Sequence, residues 1–103
     1  METIDIRLEG LAALPGEKPW AVVGVVASGN LEILLERAAP PDACAVQIET
    51  SAEGFAPIWQ AVIRDFVARH ASGGLRISIN DGGARPDIVT LRLLQGLSMM
   101  TGA

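Results

Sequence analysis

The chain has 103 residues, 50% of them hydrophobic and 19% charged, with a formal net charge of −4; this describes one folded domain, residues 1–103, and excludes a disordered acidic tail. No lysine or arginine cluster supplies the footprint that nucleic acid requires. The longest strongly apolar run, "WAVVGVVA", is too short to cross a bilayer as a helix, and "METIDIRLEG" lacks the basic-then-apolar layout of a signal peptide, so a soluble cytoplasmic protein with no membrane partner is expected.

Glu2 to Glu9 alternates Ile4, Ile6 and Leu8 against Asp5, Arg7 and Glu9, the two-residue period of a half-buried strand. "GLAALPGEKP" reads as a loop, and Trp20 to Ala27 follows as a nearly continuous apolar strand, the pattern of a central position in a sheet. Leu31 to Glu36 alternates again, with Leu31, Ile33 and Leu35 on one face and Glu32 and Glu36 on the other. Between these two strands Gly29 and Asn30 have the chemistry of a two-residue type II′ turn, which places Ser28 at a hairpin tip.

"RAAPPDA" breaks the chain before a fourth strand in which Cys44, Val46 and Ile48 alternate with Ala45, Gln47 and Glu49. From Phe55 the period changes: Ile58, Trp59, Val62, Ile63, Phe66 and Val67 recur at three-to-four spacing, Pro57 suits a first turn, and "HASGG" ends the helix. "LRISIN" is a fifth strand with Leu75, Ile77 and Ile79 inward, and "DGGAR" is a turn. The segment from Pro86 to Met100 fits either a strand face of Val89, Leu91 and Leu93 or a helical stripe of Val89, Leu93, Leu97 and Met100; its length and leading proline favour helix. The expected fold is α+β, a two-layer sandwich in which an antiparallel or mixed sheet of about four to five strands carries two helices on one face.

Motifs for catalysis are missing: there is no GxSxG, GxGxxG or phosphate loop, and no paired histidines or clustered cysteines. Cys44 stands alone, so no internal disulfide forms, and its setting in "ACAVQIE" is that of a small buried hydrophobe. His70, the sole histidine, falls at a helix end where capping is its ordinary role. Asp81 and Asp87 flank a glycine-rich turn and offer an acid–base pair or a cation site, against the commoner use of aspartate in turns and first helical turns. Arg85 and Arg92 offer a grip on phosphate, against ordinary surface ion pairing. Glu32 and Glu36 read as a solvated strand face, and Trp59 as core. Ser28, beside glycine at a tip, is accessible and suited to covalent modification, although a plain turn serine is the commoner reading.

"VVASGNLEILLE", followed by "IETSAEGFAPIWQAVIRDFVARH" and "LRISINDGGARPDIVTLRLLQGL", resembles the acyl carrier protein, or delta subunit, of bacterial malonate decarboxylase, across residues 20 to 97 in the family's order. The family pattern V-V-x-S-G-[DN]-x-E falls on Ser28, Gly29, Asn30 and Glu32; the sequence departs from it at Ala27, where glycine is usual, and within "NDGGARPDIV". The resemblance implies that Ser28 carries 2'-(5''-phosphoribosyl)-3'-dephospho-CoA through a phosphodiester, on a turn made by Gly29 and Asn30. It implies a non-catalytic subunit whose arm carries acetyl and malonyl thioesters, a form in which loss of carbon dioxide leaves an enolate that an oxyanion hole can hold. The implied partners are the transferase (alpha) subunit, the decarboxylase (beta and gamma) subunits and a holo-carrier synthase. A citrate lyase-type carrier and an unmodified protein-interaction domain are the alternatives; the length and "IWQAVIRDF" favour malonate decarboxylase.

Overall fold

The computed structural model describes residues 1–24, 31–84 and 86–102, and of Pro86 only the backbone. It contains strands β1 (Glu2–Leu8), β2 (Trp20–Val23), β3 (Leu31–Glu36) and β4 (Cys44–Thr50), helix α1 (Ala56–Arg69), strand β5 (Leu75–Asp81) and helix α2 (Pro86–Thr101). The strands form one sheet in the order β1-β4-β5-β3-β2. β4 and β5 run parallel, with α1 as the crossover between them, and the other neighbours are antiparallel, so the sheet is mixed.

The register aligns apolar residues in rows across the sheet. Ile4, Ile48, Ile79, Ile33 and Val23 form one row; Ile6, Val46, Ile77, Leu35 and Ala21 form the next. Because side chains alternate faces along a strand, both rows point the same way, and all ten residues are buried. They meet Trp59, Ile63, Phe66 and Val67 of α1 and Val89, Leu93, Leu97 and Met100 of α2 in one core, which puts both helices on one face as expected. The opposite face carries Asp5, Arg7, Gln47, Glu49, Arg76 and Asn80, all exposed.

α1 starts at Phe55, whose carbonyl accepts the Trp59 amide at 3.0 Å, with Pro57 in the first turn where no amide partner is needed. It ends at His70, whose extended backbone still donates to the Phe66 carbonyl at 3.1 Å. α2 crosses β3 closely: a β-carbon on Gly96 would stand 2.5 Å from Leu35 Cδ1. The strand reading of this segment fails on Leu91, which is 49% exposed between buried Val89 and Leu93, whereas the helical stripe is buried throughout.

The position of β2 corrects the sequence reading. It is an edge strand, with Ala21 and Val23 facing α2 while Trp20 and Val22 lie exposed on the open face. An unbroken apolar run shows that both faces of a strand are apolar, but not that a second layer covers each of them. The loop before β2 is tied down by Arg37, whose guanidinium donates to the carbonyls of Leu14 (2.9 Å), Pro15 (2.8 Å), Lys18 (2.8 Å) and Met100 (3.2 Å). Leu14 is buried in consequence, and Ala13 bridges to Gly73.

Candidate functional site

The segment joining β2 to β3 holds the serine singled out from sequence. Val25, Val26, Ala27, Ser28, Gly29 and Asn30 lie outside the described residues; the flanking strands define the frame from which they are carried. In the β2–β3 ladder every pair is equidistant from position 28, from Val23 with Ile33 out to Trp20 with Glu36. A two-residue turn over Gly29 and Asn30 would pair Ser28 with Leu31 and centre the ladder between positions 29 and 30. The observed register is centred on Ser28 instead, and β2 stops at Val23, so seven residues separate the two strands. Local turn chemistry indicated the reversal of the chain but not its register, which the rows of buried side chains set.

Gly24 is where the chain leaves β2. Its φ is +79°, and a β-carbon there would collide with the Leu31 carbonyl oxygen, so both the conformation and the close approach require glycine. Leu31, fully buried, pairs with Asp81 at the end of β5, which places the loop after β5 and the start of α2 beside this exit. Arg92, in the second turn of α2, lies alongside: its Cδ is 3.9 Å from the position a Gly24 β-carbon would take. The Arg92 side chain is partly buried, its Nη1 donates to Gln95 Oε1 at 3.1 Å, and its Nε is shielded from solvent without an acceptor. None of the ion pairs among the described residues involves it. Arg85, the other candidate for a phosphate, lies outside the described residues.

The remaining candidates are structural. Asp81 is buried; Oδ2 accepts the Thr50 hydroxyl at 2.8 Å, and Oδ1 accepts the amides of Gly83 (3.1 Å) and Ala84 (2.7 Å). It clasps the loops that follow β4 and β5, so both its oxygens are engaged, while Asp87 is exposed in the first turn of α2, where a carboxylate suits the helix dipole. Among the described residues no three His, Cys, Asp or Glu side chains are grouped to hold a metal. The His70 ring packs on Phe66 with centroids 4.9 Å apart. Cys44 is fully buried, and desolvation pushes its thiol up to about 11, so it is a neutral core residue. Glu32 and Glu36 lie on the open face of the sheet, and Trp59 is core.

One feature was not visible in the sequence: an apolar pocket of about 270 Å³ between the loops clasped by Asp81, lined by Phe55, Ile58, Trp59, Val62, Ala84 and Val89. Ile58 belongs to the apolar stripe of α1, yet it is 47% exposed at the pocket rim, as is Phe55 at 46%. Among the described residues no helix is long and apolar enough to cross a membrane.

Comparison with known proteins agrees with this architecture. A family profile described as malonate decarboxylase delta subunit (MdcD) matches residues 18–100. The malonate decarboxylase acyl carrier protein of Bradyrhizobium diazoefficiens is 54% identical over 97 residues, covering 94% of this chain and 92% of that protein. That of Stenotrophomonas maltophilia is 53% identical over 100 residues, covering 97% and 94%. A chain in the crystal structure of a Pseudomonas malonate decarboxylase hetero-tetramer in complex with malonate superposes with a TM-score of 0.84 at 38% identity, over 97% of this chain and 99% of that one. With matches of this extent, and with the five-stranded sheet and two helices of its described residues, the chain belongs to the malonate decarboxylase delta-subunit family of acyl carrier proteins.

Proposed function

We propose that this chain, as a single domain, is the non-catalytic carrier of a cytoplasmic malonate decarboxylase, with Ser28 bearing 2'-(5''-phosphoribosyl)-3'-dephospho-CoA through a phosphodiester. The observation that carries the reading is the register of β2 and β3, centred on Ser28, together with the family membership. Two antiparallel strands held by the core give the modified residue a fixed base, and Gly24 lets the chain depart from it.

The residues near this exit suit a phosphorylated arm: Arg92 is cationic, has no carboxylate partner among the described residues and leaves Nε without an acceptor. The arm, when bound, supplies a terminal thiol on which acetyl and malonyl ride as thioesters. The protein's own residues hold β2 and β3, the strands on either side of the Ser28 segment, against the core, and hold Cys44, the only native thiol, neutral inside it, so that it does not compete for acyl groups. A tether of this kind raises the effective concentration of the acyl group at each partner site.

The Pseudomonas relative is part of a hetero-tetramer; by analogy the partners here are the transferase (alpha) and decarboxylase (beta and gamma) subunits, with a holo-carrier synthase loading Ser28. The exposed Trp20 and Val22 on the edge strand and the mildly acidic charge of −4 are compatible with protein partners. The test is the intact mass of the chain co-expressed with its cognate holo-carrier synthase, beside Ser28→Ala. A mass increase equal to the nucleotide arm on the unaltered chain alone is expected. An unmodified chain, or an equal increase on Ser28→Ala, refutes the assignment.

A further inference from the structure

Arg92 is the one arginine side chain that the described residues leave buried at Nε without an acceptor. Buried donors are normally satisfied, so such an atom points to a partner that the bare polypeptide does not provide. Three further observations narrow the partner. Arg92 lies against Gly24, where the chain leaves β2 toward Ser28. It has no carboxylate partner among the described residues, where Arg7 and Arg69 each pair with one. Its single acceptor there, Gln95 Oε1, is neutral and engages only Nη1, leaving the Nε–Nη2 edge of the guanidinium, a fork that matches two oxygens of a phosphate.

Resting on the carrier reading above, we infer that Arg92 is a positioning residue that binds a phosphate of the arm on Ser28 and holds the resting arm against the base of the β2–β3 connection. Ser28 is four residue steps from Gly24, a span of at most about 14 Å. An arm that carries a phosphodiester and a diphosphate can cover that distance by folding back. Because Nε is shielded from solvent in this structure, the contact requires a rotation about the Arg92 side-chain bonds that turns the Nε–Nη2 edge outward. The contact is electrostatic and reversible, so it parks the arm between visits to partner enzymes without anchoring it.

Arginine Nε–H resonances of the apo and the loaded chain provide the test, with Arg92→Lys identifying the Arg92 signal by its loss. On loading, the Arg92 Nε–H signal is expected to move downfield and exchange more slowly with solvent, while those of Arg7 and Arg69 stay in place. The ³¹P signals of the arm, displaced in the loaded native chain, are expected to return toward their positions in the unfolded loaded chain when Arg92 is replaced by glutamine, and to recover in part with Arg92→Lys. An unmoved Nε–H in a chain whose mass includes the arm overturns this inference and leaves the carrier reading standing. Absence of the arm from the mass overturns both. The same shift produced in the apo chain by millimolar inorganic phosphate alone would mark a general anion site and overturn the assignment to the arm.

Discussion

Gly24→Ala tests the frame that presents the candidate serine. At φ +79° an alanine pays about 1–2 kcal/mol for the left-handed backbone. Its β-carbon also meets the Leu31 carbonyl oxygen, a main-chain atom that cannot move without disturbing the β3–β5 ladder; overpacking of this kind costs about 1–3 kcal/mol. If the ladder holds, the two effects together remove about 2–5 kcal/mol, a sizeable share of the 5–15 kcal/mol on which domains of about this size rest. At about 4–8 °C per kcal/mol, the midpoint of thermal unfolding falls by roughly 8–40 °C. If the chain relaxes instead, the pair Val23 with Ile33 opens, less stability is lost, and hydrogen exchange at those two amides accelerates. Calorimetry and native-state hydrogen exchange on one sample separate the two responses. A midpoint within about 2 °C of the parent, with unchanged protection of Val23 and Ile33, would refute the reasoning.

Arg37→Ala removes donors to four carbonyls on two segments, the loop before β2 and the end of α2. Because part of that network is solvent-exposed, a loss of about 2–3 kcal/mol is expected by denaturant titration, along with early proteolytic cutting between residues 14 and 19. Arg37→Lys, a point charge on a flexible stem, recovers little of it. For Cys44, burial raises the thiol from its ordinary 9.0 to about 11, so the folded chain keeps a proton that the unfolded chain releases. Its contribution to stability is therefore complete below pH 9 and is lost as pH rises toward 11; Cys44→Ser, lacking that titration, should flatten the decline over this range. Alkylation of the native chain at pH 8 should be slow and become fast on unfolding, and rapid native labelling would contradict the burial.

The parts of the fold that could be read from sequence are those where one face is covered and the other is not. Ile33 and Leu35 against Glu32 and Glu36, or Ile77 and Ile79 against Arg76 and Asn80, fix strand and orientation through alternation alone. Where both faces are apolar, as at Trp20 to Val23, the pattern cannot say whether a layer lies beyond, and the edge position of β2 emerged only from the strand order. The stripe on α1 was wider than the surface it packs against: Trp59, Ile63, Phe66 and Val67 fill the core, while Ile58 is left at a pocket rim that depends on loops distant in sequence. The same limit applies to Arg92, whose nearness to Gly24 is a product of how α2 lies across the sheet. The candidacy of Ser28 came from resemblance; composition and spacing alone favoured an ordinary turn residue.

The edge position of β2 has a mechanical corollary. Tension applied at position 28 divides between two strands of unequal attachment: β3 is bonded on both flanks, to β2 and β5, whereas β2 is bonded on one. A pull along the strand axis must shear two ladders to extract β3 and only one to peel β2, so under load the outer strand yields first and the central three remain assembled. The weak link thus lies next to the point of traction, where a brief detachment can reseal without unravelling the domain.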